Sequence, residues 1–274
     1  MKFLKVALLS TCFAVSACDA APKTETPNQT DAISQVLKTN FPVTISKIAD
    51  GVWVHTSAYR VPGRLDIAAN GLIVADGDSL IMVDTPWGEL STLSLLNVIK
   101  DEIGKPVTSL IVTHHHVDSV SGVDLLEAQG ATVYTHPDTP ARAAAIGLPV
   151  PNTSVTALKN PQSRSKVGTV EIAYPGAGHA EENLVVYVPK AKILFGGCVV
   201  KGAQSTSLGN LSDAKLKDWP TSLTWIKATY PDTTLVVPGH GKGADLTLID
   251  KTLGMIAKEV NAELTEATKT DPKP

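Results

Sequence analysis

Aromatic residues are scarce, at 5% of the chain, so any exposed tryptophan stands out. An excess of positive charge is also missing. The formal net charge is −3 with no basic cluster, which removes the electrostatic footprint expected of a nucleic-acid binder. No stretch reaches the ~18 uninterrupted apolar residues that a membrane-spanning helix needs. Cysteine is rare too, with three in the chain. Cys12 and Cys18 belong to an N-terminal targeting segment, which leaves Cys198 alone. A lone thiol in an exported chain has no disulfide partner. Metal ligation and inert burial are the two roles open to it. What remains is ordinary: 274 residues, 43% hydrophobic and 19% charged, enough for one sizeable core.

The targeting segment is legible at once. Lys2 and Lys5 precede the apolar run Val6 to Val15, which is too short to cross a bilayer and suits a signal core. The run ends Val15-Ser16-Ala17-Cys18, which resembles a bacterial lipobox. The reading is a signal peptide over 1–17, a flexible tether over 18–40 and a folded domain over 41–270. It places the protein in the periplasm, held to the membrane by lipid on Cys18. Ordinary cleavage near Ala17 or Ala20 is the alternative.

Patterning predicts hairpins at 45–56 and 71–83, each around an Asp/Gly turn. Alternating helices and strands follow to about 146. Strands return at 167–174, 184–188 and 192–196. A helix is expected over 213–230 with Asp213 as its cap, then a strand at 235–237 and a closing helix over 245–265. Such an order suggests an α/β chain of two similar halves, each a sheet with helices on its outer side. Stacked sheet to sheet they would form four layers, one option among several α/β architectures.

Chemistry gathers at the predicted strand ends, where α/β sheets place their sites. Thr113-His114-His115-His116-Val117-Asp118 follows one strand directly. In extended geometry His114, His116 and Asp118 share a face and His115 points elsewhere. Two imidazoles and a carboxylate on one spot suit Zn²⁺, while three solvated histidines in a polar loop are the bland reading. His179, Cys198 and His240 each sit on a Gly-flanked turn after an apolar strand. Any one alone is more often structural, but four repeats of one arrangement argue for a shared centre. His55 and His136 lack the pattern.

This set resembles the metallo-β-lactamase superfamily, and within it the class B β-lactamases with a three-His zinc site and an Asp-Cys-His zinc site. The similarity runs over about 43–265 and implies the αβ/βα sandwich. By resemblance His114, His116 and His179 hold one Zn²⁺, and Asp118, Cys198 and His240 a second. Lys201 would receive a substrate carboxylate, Asn210 would assist at the lactam carbonyl, and Asp84 would support the ligands from behind. Ser119 stands where many relatives, such as glyoxalase II and lactonases, carry a histidine. That missing histidine, paired with Cys198, separates the β-lactamase reading from its siblings. The implied reaction is zinc-dependent opening of penicillins, cephalosporins and carbapenems, giving antibiotic resistance, with Asp118 orienting the attacking hydroxide. A hydrolase of thioesters or lactones is the alternative. Trp87 is a candidate apolar floor, and Tyr59 and Val61 are candidate contacts on the 57–69 loop. The expected partner is the small-molecule β-lactam, with no nucleic acid, no obligate protein partner, and membrane contact only through the lipid.

Overall fold

The computed structural model describes residues 29–60 and 66–270. The segment 1–28, with the expected signal peptide and Cys18, lies outside them, as does Val61. Helix α1 (Gln29–Asn40) opens the described chain. The reading of 18–40 as a flexible tether is corrected over this part. Leu37 is buried and Lys38 pairs with Asp101 at 2.7 Å, so tertiary contact holds a segment whose polar composition suggested none.

Two sheets follow. The first has strands β1 (Val43–Ala49), β2 (Val52–Tyr59), β3 (Ile67–Asp76), β4 (Ser79–Val83), β5 (Val107–Ile111) and β6 (Thr132–Tyr134), in chain order. Its first four are antiparallel, and β5 and β6 run parallel to β4. Helix α2 (Glu89–Glu102) connects β4 to β5; short helices α3 (Val117–Val120) and α4 (Val123–Ala128) connect β5 to β6. Helix α5 (Thr139–Ala145) leads to the second half. There β7 (Ser163–Val167), β8 (Val170–Tyr174), β9 (Val185–Val188) and β10 (Ile193–Gly197) are antiparallel. Helix α6 (Trp219–Thr229) then brings β11 (Leu235–Pro238) parallel to β10, and α7 (Thr247–Thr270) closes the chain. Each half is thus an antiparallel meander followed by parallel strands reached through helices.

Period-two alternation explains the layers. Leu72, Val74, Ile81 and Val83 face Ile172, Val186, Phe195 and Val237 across the two sheets. Ile73, Leu80 and Met82 point the other way, against Leu95, Ile99 and Leu126 of α2 and α4. Leu194 and Val236 likewise meet Leu223, Ile226 and Ile249 of α6 and α7. Each such side chain contributes about 1.5–3 kcal/mol on burial. A one-residue slip in a strand would swap both faces, so its register is set twice over. The result is the predicted four-layer sandwich.

Several boundaries differ from expectation. Strands β2 and β3 take up both ends of the expected 57–69 loop, β2 running to Tyr59 and β3 starting at Ile67. The expected strand 167–174 is a hairpin, because Gly168 at φ 50 turns the chain between β7 and β8. Helix α6 begins at Trp219 rather than Asp213. Pro220 belongs in a first helical turn, where its missing N–H is harmless, so the chain upstream enters as turns.

One close approach within the first sheet involves a histidine. His55 on β2 is buried beneath Gly71 on β3, and a Cβ at Gly71 would run into His55 Nε2 and Val83 O. Gly71→Ala should therefore destabilise the fold by about 1–3 kcal/mol, the range for overpacking a filled core. A denaturant midpoint equal to wild type would show that this contact yields freely.

Candidate metal centre

The strand ends converge. Beyond β5, the chain turns at Thr113 and presents His114 and His116 before α3, which carries Asp118 and Ser119. Across the sheet interface, the turn after β8 brings His179, the end of β10 brings Cys198, and the end of β11 brings His240. Asn70 ties the two sheets there. Its N donates to Gly239 O at 2.8 Å, and Nδ2 donates to Pro238 O at 3.0 Å and to Gly241 O at 2.8 Å.

Three imidazoles face one another. Ring centroids of His114, His116 and His179 lie 4.6–5.3 Å apart. His116 Nδ1 approaches His179 Nε2 at 3.1 Å, and the buried Nε2 of His114 has no hydrogen-bond partner. Burial, followed by the neighbouring His116, pushes His114 down to about 3, so this imidazole stays neutral with a free lone pair. Burial does the same to His179, with Lys201 adding to it.

A second group adjoins the first through Asp118. Its Oδ1 is 3.9 Å from His114 Nε2, while Oδ2 accepts from Cys198 Sγ at 3.5 Å and lies 3.0 Å from His240 Nε2. Burial opposes ionisation of Asp118, yet His240 and His114 hold its carboxyl well below the usual range. His240 Nδ1 donates to Ala68 O at 2.7 Å, which orients Nε2 toward the cluster. Burial works against a charge on His240, but Cys198 and Asp118 raise it to about 11. Burial, with Asp118, pushes the Cys198 thiol up. Such unpaired and mutually opposed donors are what a cation resolves. Three imidazoles beside a carboxylate, a thiol and a fourth imidazole fit zinc.

Outer contacts hold these groups. Asp84 has φ 56, a left-handed backbone. His55 Nε2 donates to its carbonyl at 3.1 Å. The Asp84 carboxylate accepts from Thr113 N at 2.8 Å and Thr113 Oγ1 at 2.7 Å. Burial raises its pKa to about 7, against those hydrogen bonds. Ser119 Oγ is 3.0 Å from His114 Nδ1. Asp213, expected as a helix cap, instead lies 3.0 Å from His116 Nε2, on the ring edge away from the cluster. Nothing in Ser212-Asp213 distinguishes a cap from such a partner. His55 lies within a strand rather than at a strand end, so its sequence context does not mark it. Its role depends on β2 lying beside β3.

The predicted substrate residues are placed unequally. The Trp87 ring is half-buried, 6.2 Å from His240 and 5.4 Å from exposed Tyr59. Lys201 is buried with Nζ 5.2 Å over the Trp219 ring, itself 6.1 Å from His179. Asn210 sits in an exposed loop, where its Oδ1 accepts from Ser212 N at 3.1 Å and makes no hydrogen bond to the cluster.

Comparison with known proteins agrees with this architecture. The family model described as the metallo-β-lactamase superfamily matches residues 65–240. A protein of Bacillus cereus named metallo-β-lactamase type 2 is 36% identical over 216 residues, covering 78% of this chain and 82% of its own. One of the same name from Bacteroides fragilis is 34% identical over 227 residues, covering 82% and 90%. The crystal structure of the metallo-β-lactamase FIM-1 from Pseudomonas aeruginosa, in a mono-zinc form, superposes with a TM-score of 0.76 at 34% identity, covering 80% of this chain and 96% of that one. Matched in sequence over most of its length and in the sandwich that carries its histidines, the chain belongs to the metallo-β-lactamase superfamily.

Proposed function

We propose that this protein hydrolyses the amide bond of β-lactams with two zinc ions, one held by His114, His116 and His179 and one by Asp118, Cys198 and His240. The observation that carries the reading is the junction at Asp118: a three-imidazole cluster shares that carboxylate with a lone thiol and a fourth histidine. Ser119, placed against His114, leaves no histidine of the kind that thioester and lactone hydrolases of this superfamily carry, and Cys198 completes the donor set instead.

Zinc bound there supplies a water whose pKa falls from ~15.7 to about 7, together with positive charge for the developing anions. The protein's own groups do the rest. Asp118 stays ionised and offers a carboxylate oxygen that orients the attacking water. Lys201 presents an ammonium in a buried setting, where attraction to a substrate carboxylate is stronger than in water. Asn210 spends its oxygen on Ser212 N, which leaves Nδ2 to donate to the lactam carbonyl. Trp87, beside His240, gives the substrate an apolar floor. Asp84, through Thr113, and Ser119, at His114 Nδ1, hold the ligand turn from behind.

The test is turnover of a chromogenic cephalosporin with and without chelator, beside a thioester and a lactone. Hydrolysis of the cephalosporin that chelation abolishes and zinc restores is expected. Lactone or thioester turnover without β-lactam turnover would select the other hydrolase class.

Cys198→Ser should bind one zinc fewer at equal free zinc and lose much of its rate, because a serine hydroxyl keeps its proton where a thiol yields it to the metal. Two zincs bound as tightly as in wild type would make Cys198 a buried structural thiol. Lys201→Ala should raise KM about ten- to a hundredfold with little change in kcat. A charge-assisted hydrogen bond made equally in ground and transition states is lost. An unchanged KM across carboxylate-bearing substrates would remove Lys201 from the site.

A further inference from the structure

His115 stands between two ligand-bearing neighbours and faces away from the cluster. Its backbone N donates to Glu182 Oε1 at 3.0 Å, and its ring Nδ1 donates to the same oxygen at 2.6 Å. Glu182 is fully buried and lies three residues after His179. The contact therefore joins the turn that carries His114 and His116, on the first sheet, to the turn that carries His179, on the second. Leu184 N, donating to Thr113 O at 2.8 Å, makes a parallel link. Within the second turn, Asn183 Oδ1 accepts from Ala180 N at 3.0 Å, so the residues between His179 and Glu182 are themselves held.

We propose that Glu182 is a positioning residue for the three-histidine site, its carboxylate setting the separation between the histidines drawn from the two halves of the chain. This rests on the reading of those histidines as zinc ligands. Zinc–nitrogen bonds are about 2.0–2.1 Å long, and a functional constellation tolerates errors of only about 0.5 Å. His116 and His179 are 63 positions apart in sequence and arrive on different sheets. Sheet packing by apolar contacts is not directional. A buried, charge-assisted hydrogen bond is directional, and with its partners removed it leaves an uncompensated charge, so it is made in one geometry. Pairing with Arg142 does not account for Glu182 by itself. Arg142 Nε is 3.4 Å from Glu182 Oε2, but the half-exposed guanidinium already has Glu181 as a partner. The other oxygen is aimed at the backbone of the ligand turn.

The experiment is cobalt and zinc titration of Glu182→Ala and His115→Ala against wild type, with a competing chromophoric chelator. Cobalt at the three-histidine site reports through its ligand-field bands, and cobalt beside Cys198 through its thiolate charge-transfer band. Glu182→Ala should lose about ten- to a hundredfold in affinity at the three-histidine site, the usual effect of removing an outer partner, with altered ligand-field bands. Affinity at the thiolate site should change by less than the roughly tenfold lower end of that range. His115→Ala keeps the backbone donor and should lose less than Glu182→Ala. Unchanged affinity and bands in Glu182→Ala would overturn the proposal. So would an equal loss at both sites with a matching fall in the metal-free unfolding midpoint, which marks general destabilisation. If Glu182→Ala does not fold, Glu182→Met fills the space without an acceptor, and Glu182→Gln, which retains an oxygen, should recover most of the affinity. A glutamine variant as weak as the methionine one would equally overturn it. Wild type showing no three-histidine cobalt signature would instead refute the site reading itself.

Discussion

The donors that meet at this centre come from two sheets, so everything rests on how those sheets are held face to face. Apolar packing between Leu72, Val74, Ile81 and Val83 on one side and Ile172, Val186, Phe195 and Val237 on the other supplies the bulk of the contact. Directional bonds at the rim then fix the alignment: Asn70 to the turn around His240, Leu184 N to Thr113 O, and His115 N to Glu182. Hydrophobic area brings the halves together, and a few polar contacts near the donor cluster decide where each strand end stops.

The centre itself works against the fold that presents it. Desolvated imidazoles, a thiol and a carboxylate lie within a few ångströms of one another. His114 is held neutral while His240 and Asp118 are held charged. A bound cation would remove that conflict, so metal affinity and folding free energy would be coupled here as in other sites whose ligands are far apart in the chain. The outer partners share the same logic. Asp213 on His116, Ala68 on His240, and Ser119 and Thr113 on His114 each occupy the ring nitrogen that does not face the cluster.

Much of this was legible in the residues. Short apolar runs around Asp76-Gly77-Asp78 predicted the hairpin at 71–83, and the His-x-His-x-Asp array after an apolar run predicted convergence, because both follow from local pattern. What was not legible depended on long-range contact. Helix α1 looked like a tether because Leu37, its buried residue among those described, stands in a polar stretch and Lys38 reads as solvated until Asp101 is beside it. Asp213 looked like a cap because a cap and a partner for a histidine ring use the same side chain. Glu182 carried no signal: a glutamate after His179 reads as solvated until the first sheet closes over it.

Asp84 shows how narrowly one position can be specified. Its φ of 56 admits glycine, asparagine and aspartate with least strain and penalises other side chains. Glycine would fit the backbone and leave Thr113 N and Oγ1 without an acceptor. Asparagine would offer one oxygen where two are used, and turn an N–H toward one of those donors. Aspartate alone meets both the backbone demand and the two-donor demand. Substitution at this position is closed from two independent directions, one conformational and one chemical.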